Sequence, residues 1–209
     1  MIDYVLTVAK KLTSKVIVVV GSQQEILREH LAGSQLEFVE QLQQFGTGHA
    51  VAQALPKLSD TGAVLILSGD VPLLTDEVVS QLIECGSSCD VAVLTSHLDN
   101  PDGYGRIIRN KEGKITSIVE HVDADHTQRL IKEINTGIMV ARAEFLQEVI
   151  PRIEARNGQN EYYLTDCVRI ALELNKKVGS VFLNDALLGL GVNAVSYTHL
   201  RAHETPEHR

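Results

Sequence analysis

Positive charge is what this sequence lacks most. Its 209 residues carry 19 Lys and Arg against 27 Asp and Glu, a formal net charge of −8. Such a chain has no basic face with which to grip nucleic acid irrespective of sequence, since that grip comes from cations displacing the counterions of phosphate. The same deficit constrains any anionic substrate, which must be met by backbone amides, a few placed cations or a metal ion. Cysteine is scarce too. Cys85, Cys89 and Cys167 form no zinc-ligand spacing and leave one thiol over after any single disulfide, so reduced thiols in a cytosolic compartment are expected. No apolar stretch approaches membrane-spanning length, and the opening "MIDYVLTVAKKL" has no secretory h-region. A cytoplasmic protein that engages neither membrane nor nucleic acid is the expectation. There is also no G-x-G-x-x-G after a first strand, which counts against a dinucleotide-dependent oxidoreductase.

What is present is an ordinary globular balance, 44% hydrophobic and 22% charged, in a chain long enough for one domain with a core of its own. Ile2, Val5, Val8 and Leu12 recur at helical spacing, and "KVIVVV" follows as a strand. Ser22 with Glu25 reads as a capping box for a helix to Leu31. A short strand "LEFVEQ", a helix from "GTGHAVAQAL", the strand "AVLILS", a helix opened by Thr75, and the strand "DVAVLTSHL" continue the alternation. Strands alternating with helices predict an α/β fold with a mainly parallel sheet covered on both faces. After Leu98 the rhythm changes. Two extended runs joined at "NKEG" predict an inserted β-hairpin, followed by a strand "EINTGIMVA", a helix from Glu144 to about Arg156, a helix carrying Val168, Ile170, Ala171 and Leu174, and a last strand "KKVGSVFL". One domain over 1–194 is the economical division. The segment 195–209 has neither apolar period nor caps, and its His199, His203 and His208 have no scaffold to hold a metal. A non-native or disordered tail is expected there.

"AVLILSGDVPLLT" poses a chemical question, because an apolar strand ends in a bare carboxylate, Asp70, between Gly69 and Pro72. That is the carboxyl edge of the sheet, where open α/β folds keep their ligands. Taken with "QLQQFGTGHA", "NPDGYGRI", "IVEH", "EINTGI", "NEYYLTD" and "GVN", in this order from Gln41 to Asn193, the stretch closely resembles the uridylyltransferase domain of the GlmU family of bifunctional bacterial enzymes. The resemblance implies a Rossmann-like nucleotidyltransferase sheet and the reaction of UTP with N-acetylglucosamine 1-phosphate. It implies uridine contacts from Gln41, Gly46 and Thr47, with Ser68 and Gly69 along the same edge. It implies sugar contacts from the Gly105 amide, Glu120 and Asn135. It implies Mg2+ held by Asp70 and Asn193, the two residues given catalytic roles. Where this sequence has Ser68 the family often has an aromatic residue, so the part played by the Ser68 side chain is open.

The family's glycine-rich first-strand segment, which cradles the triphosphate and would lie centrally in the sheet, has no counterpart among the motifs here. Nor has the family's acetyltransferase domain, through which the parent enzyme forms a homotrimer. An N-terminally truncated fragment with little turnover of its own is therefore expected. Another sugar-1-phosphate nucleotidyltransferase, or a non-catalytic nucleotide-binding relic, is compatible with the same residues.

Overall fold

The computed structural model describes residues 1–21 and 24–192. Ser22, Asn193 and the segment 195–209 lie outside the described residues. In chain order the helices and strands are α1 (Ile2–Leu12), β1 (Ile17–Val20), α2 (Gln24–His30), β2 (Glu37–Glu40), α3 (Thr47–Ala54), β3 (Ala63–Ile66), α4 (Asp76–Ser87), β4 (Val91–His97), β5 (Arg106–Arg109), β6 (Ile115–Val119), α5 (His126–Arg129), β7 (Glu133–Arg142), α6 (Ala143–Val149), α7 (Asp166–Glu173) and β8 (Val178–Leu183). The expected alternation and the hairpin β5–β6 are both present. Thr75 opens α4 by accepting from the Val78 N–H. The helix foreseen to Arg156 stops being α-helical at Val149, because Pro151 removes a donor and leaves only a 3-10 turn.

Neighbouring strands pair in a way the sequence did not announce. β1 and β2 form a parallel two-stranded sheet. The larger sheet runs β6-β5-β7-β4-β8, with β3 also on β7. Its β4–β8 ladder is parallel, whereas β7 is antiparallel to β3, β4 and β5. The mainly parallel pairing expected from the alternation is thus corrected among the described ladders. Parallel neighbours need a crossover that carries the chain back to the far edge. After β4 the chain instead makes its hairpin at the edge where β4 ends, so β7 starts there, with Glu133 opposite His97, and runs back.

The larger sheet is sandwiched. Val91 and Val93 of β4 point into a cluster with α6 and α7, while Ala92 and Leu94 point into one with α4 and Val8 of α1. Strand period two thus divides one strand between two cores. All three cysteines are free thiols. Burial pushes the Cys167 thiol up to about 12, and burial with Cys85 alongside pushes Cys89 up to about 11, which keeps both protonated and unreactive.

The contact between α4 and β7 depends on Gly86, where an added Cβ would lie 2.4 Å from Cγ1 of Val140. A helical glycine ordinarily gains stability on replacement by alanine. Here Gly86→Ala is expected to lose about 1–3 kcal/mol, the scale of core overpacking, and urea denaturation with an unchanged slope measures it.

Candidate active site

Seven of the candidate residues line one cavity of about 1030 Å³ that runs beside β3 and β7, while Gly46 and Asp70 are not among its lining residues. Gln41, Thr47, Ser68, Gly69, Gly105, Glu120 and Asn135 all line it, although they come from six separate stretches of chain.

The first group is the loop before α3. Gly46 has φ 101° and ψ 179°, a region essentially restricted to glycine. Its backbone is stitched to the segment before α7: the Tyr162 N–H donates to Phe45 O at 2.7 Å, the Gly48 N–H donates to Tyr162 O at 2.7 Å, and the Leu164 N–H donates to Thr47 Oγ1 at 3.0 Å. Gln41 Nε2 lies 3.0 Å from both Gly46 O and His49 Nδ1. His49 in turn packs edge-on to Phe45 and against Tyr162. The loop is therefore a preformed rim of backbone and amide groups, suited to a flat, hydrogen-bonding base.

The second group sits where β5, β6 and β7 meet. The Asn135 N–H donates to Gly105 O at 2.8 Å, and a Cβ on Gly105 would lie 3.2 Å from Glu120 Oε2, so the three residues abut. Asn135 is only 8% exposed; its Oδ1 accepts from the Gly137 N–H, and no described residue accepts from its NH2. The amide NH2 opens onto the cavity, where it can donate to a ligand's acceptor. Gly137, with φ +82°, opens the ladder irregularity opposite Val93–Thr95 that turns this part of β7 toward the cavity. Glu120 Oε1 accepts from the Thr165 hydroxyl at 2.8 Å. Burial holds the Glu120 carboxyl above its ordinary value of 4.5, and the Thr165 hydrogen bond opposes that shift.

Asp70 follows β3 at the mouth of this region. Its carbonyl accepts from the Val192 N–H at 2.8 Å, and a Cβ on Gly191 would lie 2.6 Å from its Oδ2. The carboxylate thus rests against the backbone of 191–192 in a recess that only a missing side chain leaves open. Tyr104 lies near enough that the Asp70 charge, after burial, helps to raise its phenol. Gly69 is not among the positive-φ glycines; its smallness admits the Ile2 side chain.

Two residues escaped the sequence reading. Thr165 stands at the N-cap of α7 but makes no capping bond, its hydroxyl being spent on Glu120. Arg106 is fully buried, donates to Tyr104 O and lies 3.4 Å from His121, while its Nε has no partner. The signal for Arg106 was its place in "GYGRI". For Thr165 the cap position concealed the role.

Cationic help is sparse. Among the described residues that line the cavity, Lys15 is the only Lys or Arg, and its ammonium is engaged by Lys57 O at 2.5 Å and by Glu37 at 3.8 Å. Among the described residues there is no cluster of three or more His, Cys, Asp or Glu able to hold a metal. One carboxylate in an open recess fits Mg2+ of the kind that takes one or two protein carboxylates and completes its shell with substrate phosphates and water.

A cavity beside an α/β sheet, with a preformed loop on one side and polar groups on the other, is where such folds hold their ligands, and the family match makes the class a nucleotidyltransferase. The architecture is similar to a solved UDP-glucose pyrophosphorylase complexed with UDP-glucose, with a TM-score of 0.72 at 14% identity, covering 97% of this chain and 87% of that one. The family model for the MobA-like NTP transferase domain matches residues 1–145, and the chain belongs to that family. It is 47% identical over 172 residues to the bifunctional protein GlmU of Francisella tularensis subsp. novicida (strain U112), covering 82% of this chain and 38% of the relative. GlmU of Francisella tularensis subsp. holarctica (strain OSU18) is also 47% identical over 172 residues. The chain thus spans 38% of the length of these relatives. Among the described residues no helix is long and apolar enough to cross a membrane.

Proposed function

We propose that this chain carries the uridylyltransferase site for UTP and N-acetylglucosamine 1-phosphate, yielding UDP-N-acetylglucosamine and pyrophosphate. The observation that carries the reading is the convergence of Gln41 and Thr47 with Gly105, Glu120 and Asn135 on one cavity. The Gln41–Thr47 rim reads the uracil edge. Asn135 NH2, the Gly105 backbone and Glu120 Oε2 meet the hydroxyls and N-acetyl group of the sugar, and Thr165 and Arg106 position them. A phosphate oxygen of the sugar phosphate forms a bond to the α-phosphorus of UTP while the bond from that phosphorus to the bridging oxygen breaks, releasing pyrophosphate. Asp70, with Asn193, would hold Mg2+, which supplies charge neutralisation for the phosphates when bound. The low cation content of the cavity makes that neutralisation necessary. Turnover by the 209-residue chain itself is low for the same reason: little on it compensates a triphosphate. The relatives' name records a second function without saying what it is; acetyl transfer and a cytoplasmic homotrimer rest on the family resemblance alone.

The test uses the product. UDP-N-acetylglucosamine is expected to bind more tightly than UDP-glucose by calorimetry, with dTDP-sugars weaker; equal binding of all three overturns the assignment in favour of another sugar nucleotide. Glu120 adds a pH signature. Sugar hydroxyls donate to its ionised form, so affinity rises as pH climbs from 4.5 through the elevated folded value. In Glu120→Gln the affinity is expected to fall about tenfold or more, the loss of a charge-assisted hydrogen bond, and the rise with pH to vanish. The stability consequence has the opposite sense. A raised folded pKa contributes stability below the unfolded value that disappears as pH rises through the folded value, so Glu120→Gln flattens that part of the curve.

A further inference from the structure

The Gln41 side chain has little freedom left to choose what it offers a ligand. Its Nε2 carries two protons, and two acceptors stand at 3.0 Å, Gly46 O and His49 Nδ1. The carbonyl can only accept, so it fixes which end of the amide faces the loop. The second proton then needs a bare nitrogen, which makes His49 Nδ1 the acceptor and puts the ring proton on Nε2. There it faces the Gln53 amide, 3.2 Å away, which takes that proton on its oxygen after a half-turn of the amide. The ring itself is held by Phe45, edge-on at 5.4 Å between centroids, and by Tyr162 at 6.2 Å. With both amide protons spent, Gln41 has only Oε1 to offer, and no described residue donates to that oxygen. Gln41 lines the cavity; His49 does not.

We propose that His49 is a positioning residue that sets the base specificity of the site. By taking the second Gln41 amide proton it leaves an acceptor alone at the cavity, and the site selects a pyrimidine with an N3–H, uracil or thymine, over cytosine. The inference rests on the uridine reading of this rim and names the group that enforces it. An imide N3–H donates to Gln41 Oε1. Cytosine carries a lone pair at N3 instead, and two acceptors face to face repel. A site built around a hydrogen bond rejects the ligand that leaves its polar group unpaired. His49 touches no base. It acts because a Gln41 with a spare amide proton turns its NH2 to the cytosine N3 and reads the two bases alike.

The experiment compares UMP with CMP by calorimetry on the full chain. The unsubstituted protein is expected to bind UMP about tenfold or more tightly than CMP, the scale of one hydrogen bond gained against one acceptor left unpaired. His49→Phe keeps a ring between Phe45 and Tyr162 but removes the acceptor. Its preference for UMP is expected to fall by about fivefold or more, the weight of one hydrogen bond. His49→Asn, which brings an acceptor oxygen close to the position of Nδ1, should keep the preference. Equal binding of UMP and CMP by the unsubstituted chain, or none, sinks the uridine reading and this inference with it. A preference for UMP that survives His49→Phe sinks the inference alone. So does a loss of affinity that UMP and CMP share equally, which marks a merely structural role, or a His49→Asn preference as low as that of His49→Phe. Imidazole nitrogen chemical shifts give a readout that needs no variant. A bare Nδ1 with the proton on Nε2 is expected, and the opposite tautomer overturns the proposal whether or not His49→Phe folds.

Discussion

Replacing Asp70 by alanine is expected to remove the gain in UDP-N-acetylglucosamine affinity that Mg2+ produces in the unsubstituted chain. In an intact enzyme of this family the same change should lower pyrophosphate release by about a hundredfold or more, the scale of losing a major charge stabiliser. Asp70 follows directly on the β3 edge of the cavity, and its Oδ2 is so close to Gly191 that a Cβ there would sit at 2.6 Å. The nearest described chain, residues 191–192, offers backbone rather than a second charge. With Lys15 the only Lys or Arg among the described lining residues, the two phosphorylated substrates proposed above would depend on a cation from solution. Asp70→Asn is the sharper variant, since it preserves shape and a hydrogen-bonding side chain while removing the charge. Metal titrations followed by calorimetry decide the matter. An Asp70→Asn protein that still responds to Mg2+ as the unsubstituted chain does would sink the assignment.

Gly46→Val should have the second largest effect, and through a different cause. A β-branched residue cannot adopt φ 101°, ψ 179° without a cost of about 1–3 kcal/mol. Its Cβ would also meet the Tyr162 carbonyl at 2.8 Å and the Tyr162 nitrogen at 3.1 Å. Both atoms are fixed by the hydrogen bonds that join this loop to the segment before α7, so neither can retreat cheaply. The expected result is lowered stability together with a loss of uridine nucleotide affinity of tenfold or more, while Phe45→Ala, which leaves the backbone bonds in place, changes affinity much less. Thermal denaturation and nucleotide titration of the two variants separate the strained backbone from the aromatic contact. Equal affinity for the Gly46→Val and unsubstituted proteins would remove the loop from the site.

The fold was legible where its signals are local. Apolar runs such as "AVLILS" and "DVAVLTSHL" became β3 and β4, the threonine before Asp76 became a cap, and the turn at Asn110–Gly113 closed the hairpin. Pro151 ended α6 earlier than its apolar spacing suggested, because a ring without an N–H outweighs periodicity. The candidate residues were found as separate motifs, and nothing in their spacing said that Asn135 would hold its backbone to Gly105 or that Glu120 would draw on Thr165. These are contacts between strands and loops distant in sequence, where neither helix nor strand period carries information.

The order of the amino acids determined which segments are helix or strand, the carboxylate at the end of β3, the deficit of cations and the set of motif residues, since each depends only on composition and neighbours a few positions away. The tertiary structure decided the direction in which β7 pairs and the shared cavity that turns scattered polar residues into one site. Those follow from where the chain turns back in space, and a hydrogen bond between distant strands is settled by that geometry and not by either strand alone.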